Sequence, residues 1–391
     1  MYHSSIMSKD KRKNKKNNPN AGKVKAAIGF FFKTLFKNEG AIEGGVKKPW
    51  YPAVIIGLIA VLVSVIPMFV QRARVNGRDF INGQYNYGFD VASEKFVAAL
   101  EDKNFSLIVK DGDSGKTLDV KLEDWDAAFT ETDARGFHRF KHINNDNAID
   151  FEAYFIPNKI TNEVLGHIGS NIPNDDGTFS ARKSSFLVFS PTEMVVSLYK
   201  PGTTSAVSSI RGDYALFDSG YDFRSIGKVT INGAEVTSKT YTAENYGKYR
   251  ELVFENWKTF FDKSYYNNKV TMLWSTTGIL LGVNAAIIVF MGLMVFLLTR
   301  GKQNNWKGII TFWNAQKTSY WASLAPAILS VALGFLMSSF AQIAFVLLMG
   351  MRSMWMVMRQ LAPTNPIPPT IVEPVKKESK IFNAKSKPVK N

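Results

Sequence analysis

Residues 271–361 form a run of about ninety positions with only six charged side chains: Arg300, Lys302, Lys307, Lys317, Arg352 and Arg359. None of the six is acidic. A helix that is apolar all round has no face to turn to water, so a run like this folds either as the core of a large protein or inside a bilayer. About 20 apolar residues cross the hydrocarbon of a membrane. The run divides into three segments of about that length, 270–298, 319–337 and 340–359, and an earlier stretch, 50–71, is uncharged through Val70 and makes a fourth. The expected fold class is a membrane α-helical protein with four transmembrane helices and an extracytoplasmic α+β domain, 72–269, inserted between the first helix and the second.

The charge distribution orients these helices. Residues 1–50 hold 12 Lys and Arg against 3 acids, whereas residues 72–269 hold 24 against 28. Lys and Arg beside membrane spans stay on the cytoplasmic side, so both termini are expected inside and the mildly acidic 72–269 segment outside. Topology accounts for the net charge of +15, and nucleic acid is not an expected partner. The chain has no cysteine, which rules out disulfides, thiolate catalysis, cysteine-ligated zinc and a lipid anchor on cysteine. The first apolar run begins near Trp50 and ends in Gln71-Arg72-Ala73-Arg74, without the small residues of a cleavage site. It reads as a retained anchor.

In chain order, residues 1–22 are too polar to bury a core and are expected to be a disordered basic cytoplasmic arm. Residues 23–49 supply an amphipathic interfacial helix and a linker: Val24, Ile28, Phe31 and Leu35 recur at helical spacing between Lys23, Lys25, Lys33 and Lys37, a pattern suited to the anionic inner leaflet of a bilayer. Within 72–269 the apolar residues come in short runs bounded by turn formers. Strands are expected at 105–109, 151–156, 186–189, 194–199, 214–217 and 228–231, with a hairpin turn at Asn232-Gly233. Helices are expected at 91–101 and 244–261. After the second span, 299–318 reads as a cytoplasmic interfacial segment, and 360–391 as a disordered cytoplasmic tail.

Three local patterns resemble chemical motifs and fall short of them. Asp113-Ser114-Gly115-Lys116-Thr117 ends like a phosphate-binding loop, but Lys110 stands where the first glycine belongs. His138 and His142 have the i,i+4 spacing of a helical metal pair, yet Arg139 and Lys141 flank them with positive charge. Residues 144–150 have oxygen ligands at the density of a calcium loop and lack its turn glycine. No catalytic residue, metal ligand or cofactor site is assigned.

The intramembrane polar exceptions are Asn284, Gln342 and Arg352. An ionisable or amide side chain within a span is by default a site hypothesis. For Asn284 the structural reading is hydrogen bonding between helices. For Arg352, near the inner end of its span, it is snorkelling toward headgroups. Met349, Met351, Met354, Met356 and Met358 read as lipid-facing or packing bulk. In the outer segment Tyr249, Val253, Trp257 and Phe260 make one apolar stripe on a helix. The stripe reads as core, and if exposed it is the candidate face for a partner.

Several stretches resemble a bacterial membrane protein family that carries a domain of unknown function and is sometimes labelled maltodextrin utilization protein or permease-like. They are Thr311-Phe312-Trp313-Asn314, the segment 320–326, the segment 352–366 ending in Pro363-Thr364-Asn365-Pro366, the aromatic 30–36 stretch and the 186–200 hairpin. The resemblance implies a multi-pass protein of the cytoplasmic membrane and brings no catalytic residues. The function expected from these readings is non-enzymatic: an accessory, scaffold or sensor protein whose external domain binds a partner or ligand, and whose spans associate with another membrane protein or a second copy. The alternatives are a transporter subunit, linked through the resemblance to maltodextrin or other sugar uptake, and a membrane enzyme.

Overall fold

The computed structural model describes residues 19–82, 88–133, 135–169, 172–173, 179–180, 184–200, 206–300 and 310–361. Most of the basic arm, the 301–309 part of the interfacial segment, and 362–391 of the tail therefore lie outside the described residues. The chain starts with α1 (Pro19–Phe36), α2 (Asn38–Lys47) and α3 (Trp50–Arg74). Helix α1 begins four residues before the expected position, with a proline at its first turn, where a missing N–H costs nothing. Next come α4 (Phe89–Asp102), the hairpin β1 (Ile108–Gly112) and β2 (Gly115–Asp119), α5 (Leu122–Ala128), β3 (Arg139–Ile143), β4 (Ile149–Phe155) and α6 (Asn162–Gly169). Two short strands, β5 (Ile172–Pro173) and β6 (Phe179–Ser180), lead to β7 (Ser185–Phe189), β8 (Glu193–Tyr199) and β9 (Ala206–Asp213), then β10 (Val229–Ile231) and β11 (Ala234–Val236). The chain closes with α7 (Tyr246–Thr299), α8 (Phe312–Leu336), α9 (Ser338–Trp355) and a π-helical turn, Met356–Gln360.

Four helices are long and apolar enough to cross a membrane: Trp50–Arg74, Tyr246–Thr299, Phe312–Leu336 and Phe340–Gln360. Two of their boundaries differ from expectation. The framing helix 244–261 and the span 270–298 are one helix of 54 residues, because residues 262–269 contain no glycine, no proline and no capping turn to end it. The third span starts at Phe312 rather than 319, where the Thr311 hydroxyl caps it by accepting the Asn314 N–H at 3.2 Å. Between α8 and α9 only Met337 departs from helical geometry.

The chain divides into two compact units, one comprising Met1–Ile66 with Leu281–Asn391, the other Pro67–Leu280. In the first, α2 crosses α8 at backbone contact. A Cβ on Gly44 would stand 2.7 Å from the Trp321 ring, and one on Gly45 would fall inside contact distance of the Thr318 hydroxyl. Small residues at such crossings let helices associate where the hydrophobic effect supplies no drive between them. The expected methionine bulk divides by face. Met349 and Met356 are buried, whereas Met351, Met354 and Met358 are exposed.

The second unit holds a five-stranded sheet in the order β3-β4-β7-β8-β9, antiparallel throughout except for the parallel pair β4 and β7. A parallel pair needs a crossover, and the chain between these strands contains α6. Strand alternation sends Phe151, Ala153 and Phe155 into a large core with α4 and the first turns of α7, and Tyr154 into a smaller one with Ile160 and Ile168. The 186–199 hairpin forms as expected in β7 and β8. Asn232 and Gly233, with φ of 51° and 82°, make the turn between β10 and β11. Residues 214–217 are not a strand. The Asp213 carboxylate accepts the Ala215 N–H at 3.0 Å and turns the chain, after which Tyr214 plugs the core and donates to the carbonyls of Ser190 and Glu193, both at 3.1 Å.

Candidate functional site

The intramembrane candidates separate into a pair and a single residue. Asn284 on α7 is fully buried. Its Nδ2 donates to Ser64 Oγ on α3 at 2.7 Å, and its Oδ1 accepts Gln342 Nε2 from α9 at 2.6 Å. Three helices are thus tied by one chain of amides and hydroxyls. Farther along, Gln316 Nε2 donates to Val289 O at 3.1 Å and Ser319 Oγ to Ile288 O at 2.6 Å, linking α8 to α7. Sequence reasoning passed over Ser64, Gln316 and Ser319, whose only signal was a polar atom in an apolar run.

Arg352 stands apart from that cluster, and it does not snorkel. Its Nε donates to Asn38 Oδ1 at 3.0 Å, Nη1 to Ala322 O at 2.8 Å, and Nη2 to Thr34 O. Each acceptor is one the local backbone or helix end leaves available. The Ala322 carbonyl would take the N–H of residue 326, which is Pro326, and Thr34 sits in the last turn of α1, where carbonyls lack helical partners. The planar guanidinium serves three helix segments at once. Arg352 staples α1 and α2 to α8.

In the Pro67–Leu280 unit, Tyr249, Val253, Trp257 and Phe260 are all at most 1% exposed. Tyr249 Oη donates to Gly227 O at 3.2 Å and Trp257 Nε1 to Ser93 O at 3.4 Å. They fill the core and offer no face to a partner. The three motif look-alikes also resolve structurally. Residues 113–117 lie in the β1–β2 hairpin and its second strand, with no helix to point N–H groups at a phosphate. His138 lies just before β3 and His142 near the end of it, four residues apart along extended chain, or roughly 13 Å. His138 Nδ1 meets Phe129 O at 2.9 Å and His142 Nδ1 meets Asp150 Oδ1 at 2.7 Å. Asn144 Oδ1 accepts the N–H of Asp146 and of Ala148, both at 3.0 Å, closing a turn. Among the described residues no group of three or more His, Asp or Glu side chains is placed to hold a metal ion.

A cleft of about 530 Å³ opens beside β3, lined by Lys95 of α4, Lys103 just past its end, residues 129–131, and residues 139–143. Strand β3 is the outer strand of its sheet. Its Arg139 N–H points away from β4 and donates to Glu131 O at 2.9 Å. By the two-residue period of a strand the N–H and C=O of Lys141 point the same way, into the cleft. Two of the cations around it, Arg139 and Lys95, are held charged. Burial opposes the charge of Arg139, but the Glu152 carboxylate keeps its guanidinium above the ordinary value. Burial likewise opposes Lys95, and Glu94 raises it. Lys141 pairs with Glu131 at 2.6 Å, the only carboxylate among the lining residues. Behind the strand, Glu152 is 1% exposed and also accepts Tyr154 Oη at 3.1 Å and Ser184 Oγ at 2.6 Å. Arg139 Nε is buried and has no hydrogen-bond partner among the described residues. Sequence reasoning named Arg139 and Lys141 only as poor neighbours for a metal and passed over Lys95 and Lys103, which lie more than thirty residues away and meet them only in the fold.

No family model, no curated protein and no solved structure matches the chain, so the family resemblance rests on the residues quoted for it alone.

Proposed function

We propose that this is a non-enzymatic accessory or sensor protein of the cytoplasmic membrane, both tails inside, whose outer α+β unit binds an extended acidic segment of a partner protein along β3. The observation that carries the reading is the juxtaposition of the β3 edge from Lys141 onward, beyond the bridge of residues 131 and 132 to its start, with Lys95, Lys103 and Lys141. Strand addition draws affinity from main-chain hydrogen bonds and specificity from flanking side chains. Lysine at an edge repels pairing with like strands and favours a segment of opposite charge. The amides of the span-length helices support the same reading, because Asn284 is taken up between Ser64 and Gln342 in a chain of helix-to-helix hydrogen bonds.

The test is binding of a fluorescent hexaglutamate peptide to the full chain in nanodiscs. Binding should saturate, weaken with salt, and fall about fivefold for each of Lys95→Gln and Lys141→Gln, near the worth of one exposed charge pair. Binding that ignores both salt and the two substitutions would sink the proposal.

A further inference from the structure

The first turns of α3 and α8 enclose a groove of about 600 Å³ lined by Trp50 and Val54 on one side and by Trp313, Asn314, Gln316, Lys317 and Tyr320 on the other. Helical spacing builds it: positions 50 and 54 share a face of α3, and positions 313, 316, 317 and 320 share a face of α8. At its deep end the two helices close on each other, where a Cβ on Gly57 would stand 3.1 Å from the Tyr320 ring. Trp50 and Trp313 flank it at 67% and 74% exposure. Indoles left so open in water are poorly placed, but at the headgroup level of a bilayer their apolar rings and N–H donors are both used. The single charge in the groove is Lys317, whose Nζ donates to Lys48 O at 3.0 Å. An ammonium carries three donors, so two remain for a ligand. No carboxylate lines the groove. Lys47 ends α2 and Lys48 stands in the linker to α3, and the nearby Glu43 is engaged by Lys33 and Lys47.

We infer that this groove is a binding site for one anionic phospholipid, its phosphate on Lys317 and one acyl chain laid along Val54 between the two tryptophans. The inference rests on the reading of α3 and α8 as spans and is independent of the cleft beside β3. The apolar walls select a lipid over a free anion, and the lone cation selects a net negative headgroup over a zwitterion, whose own ammonium competes for the phosphate. The site lies where the first span meets the linker from the interfacial helices, so an occupied groove ties that end of the bundle to the charged leaflet.

Native mass spectrometry of the full chain in a neutral detergent tests this, with palmitoyl-oleoyl phosphatidylglycerol titrated against the phosphatidylcholine of the same chains. One phosphatidylglycerol should be retained about fivefold more strongly than phosphatidylcholine, the preference that one lysine near a surface supplies. Lys317→Gln should abolish the preference, and Lys228→Gln, on the exposed surface of the other unit, should leave it intact. Val54→Trp, which fills the groove without touching the charge, should displace the lipid while the chain still melts as the parent does. Inorganic phosphate should not compete. Equal retention of the two lipids, retention unchanged in Lys317→Gln or Val54→Trp, or displacement by phosphate would each overturn the lipid site. Release of the chain from membranes by alkaline carbonate would instead overturn the spans themselves, and the lipid site with them.

Discussion

Arg352 is useful to the bundle because of acceptors that lie in other helices. Its loss strands the Ala322 and Thr34 carbonyls and the Asn38 side chain, so Arg352→Leu is expected to cost on the order of 3 kcal/mol, read as a lower melting temperature in detergent. Arg352→Lys should recover only part, since one ammonium does not span three acceptors set in a fork. Pro326→Ala restores the missing N–H to Ala322, and in that background the loss on Arg352→Leu should shrink; strict additivity of the two changes would contradict the role given to the proline. Asp133 makes a separate case in the α+β unit. Burial raises its pKa, but the hydrogen bond from Arg135 and the N–H groups of Phe137 and Arg135 outweigh burial and hold it below the ordinary carboxylate value. A depressed carboxylate contributes stability that is present above its unfolded pKa and is lost as pH falls through the folded one. Asp133→Asn should therefore destabilise the unit at pH 7, and the gap to the parent should narrow as the pH drops below about 4. Asn284 and Gln342 were legible in sequence as polar atoms with no water to turn to. The staple role of Arg352 was not, because it depends on α1 and α2 folding back onto α8.

Helix boundaries follow from what interrupts a helix, and the two boundary corrections have that common cause. Sequence periodicity marked an amphipathic stripe through Phe260 and an apolar run from 270. The nine residues between them hold no breaker, so α7 runs on. The contact of α2 with α8 shows the opposite case, in which composition looked unhelpful. A segment with glycine at 40, 44 and 45 is a poor helix by propensity, yet its glycines are what allow close approach. Gly45→Val is expected to push α2 off α8 and to destabilise the bundle by about 1 to 3 kcal/mol, the usual range for overpacking. Melting of the variant in detergent checks it, and a melting temperature equal to the parent's would mean that α2 does not seat on α8 as described. The open edge of β3 could not be read in advance, since strand order is a property of long-range pairing, and the β4 and β7 partners are more than thirty residues apart.

At the scale of the whole molecule, the class of fold was open to sequence reading because apolar and polar residues are segregated along the chain rather than mixed. Four span-length helices and a unit with its own aromatic core both follow from that segregation. Sheet order, the basic cleft and the lipid groove do not, for they arise where residues distant in sequence meet. The proposed function requires sidedness, with a binding unit on one face of the membrane and both tails on the other. The absence of cysteine makes this directly measurable, because single cysteines can be placed without background. Ser219→Cys, on an exposed turn of the α+β unit, is expected to react with a membrane-impermeant maleimide in intact cells, whereas Ser8→Cys and Ser379→Cys should react only after permeabilisation. Labelling of either tail in intact cells, or protection of position 219 until the membrane is opened, would contradict the account.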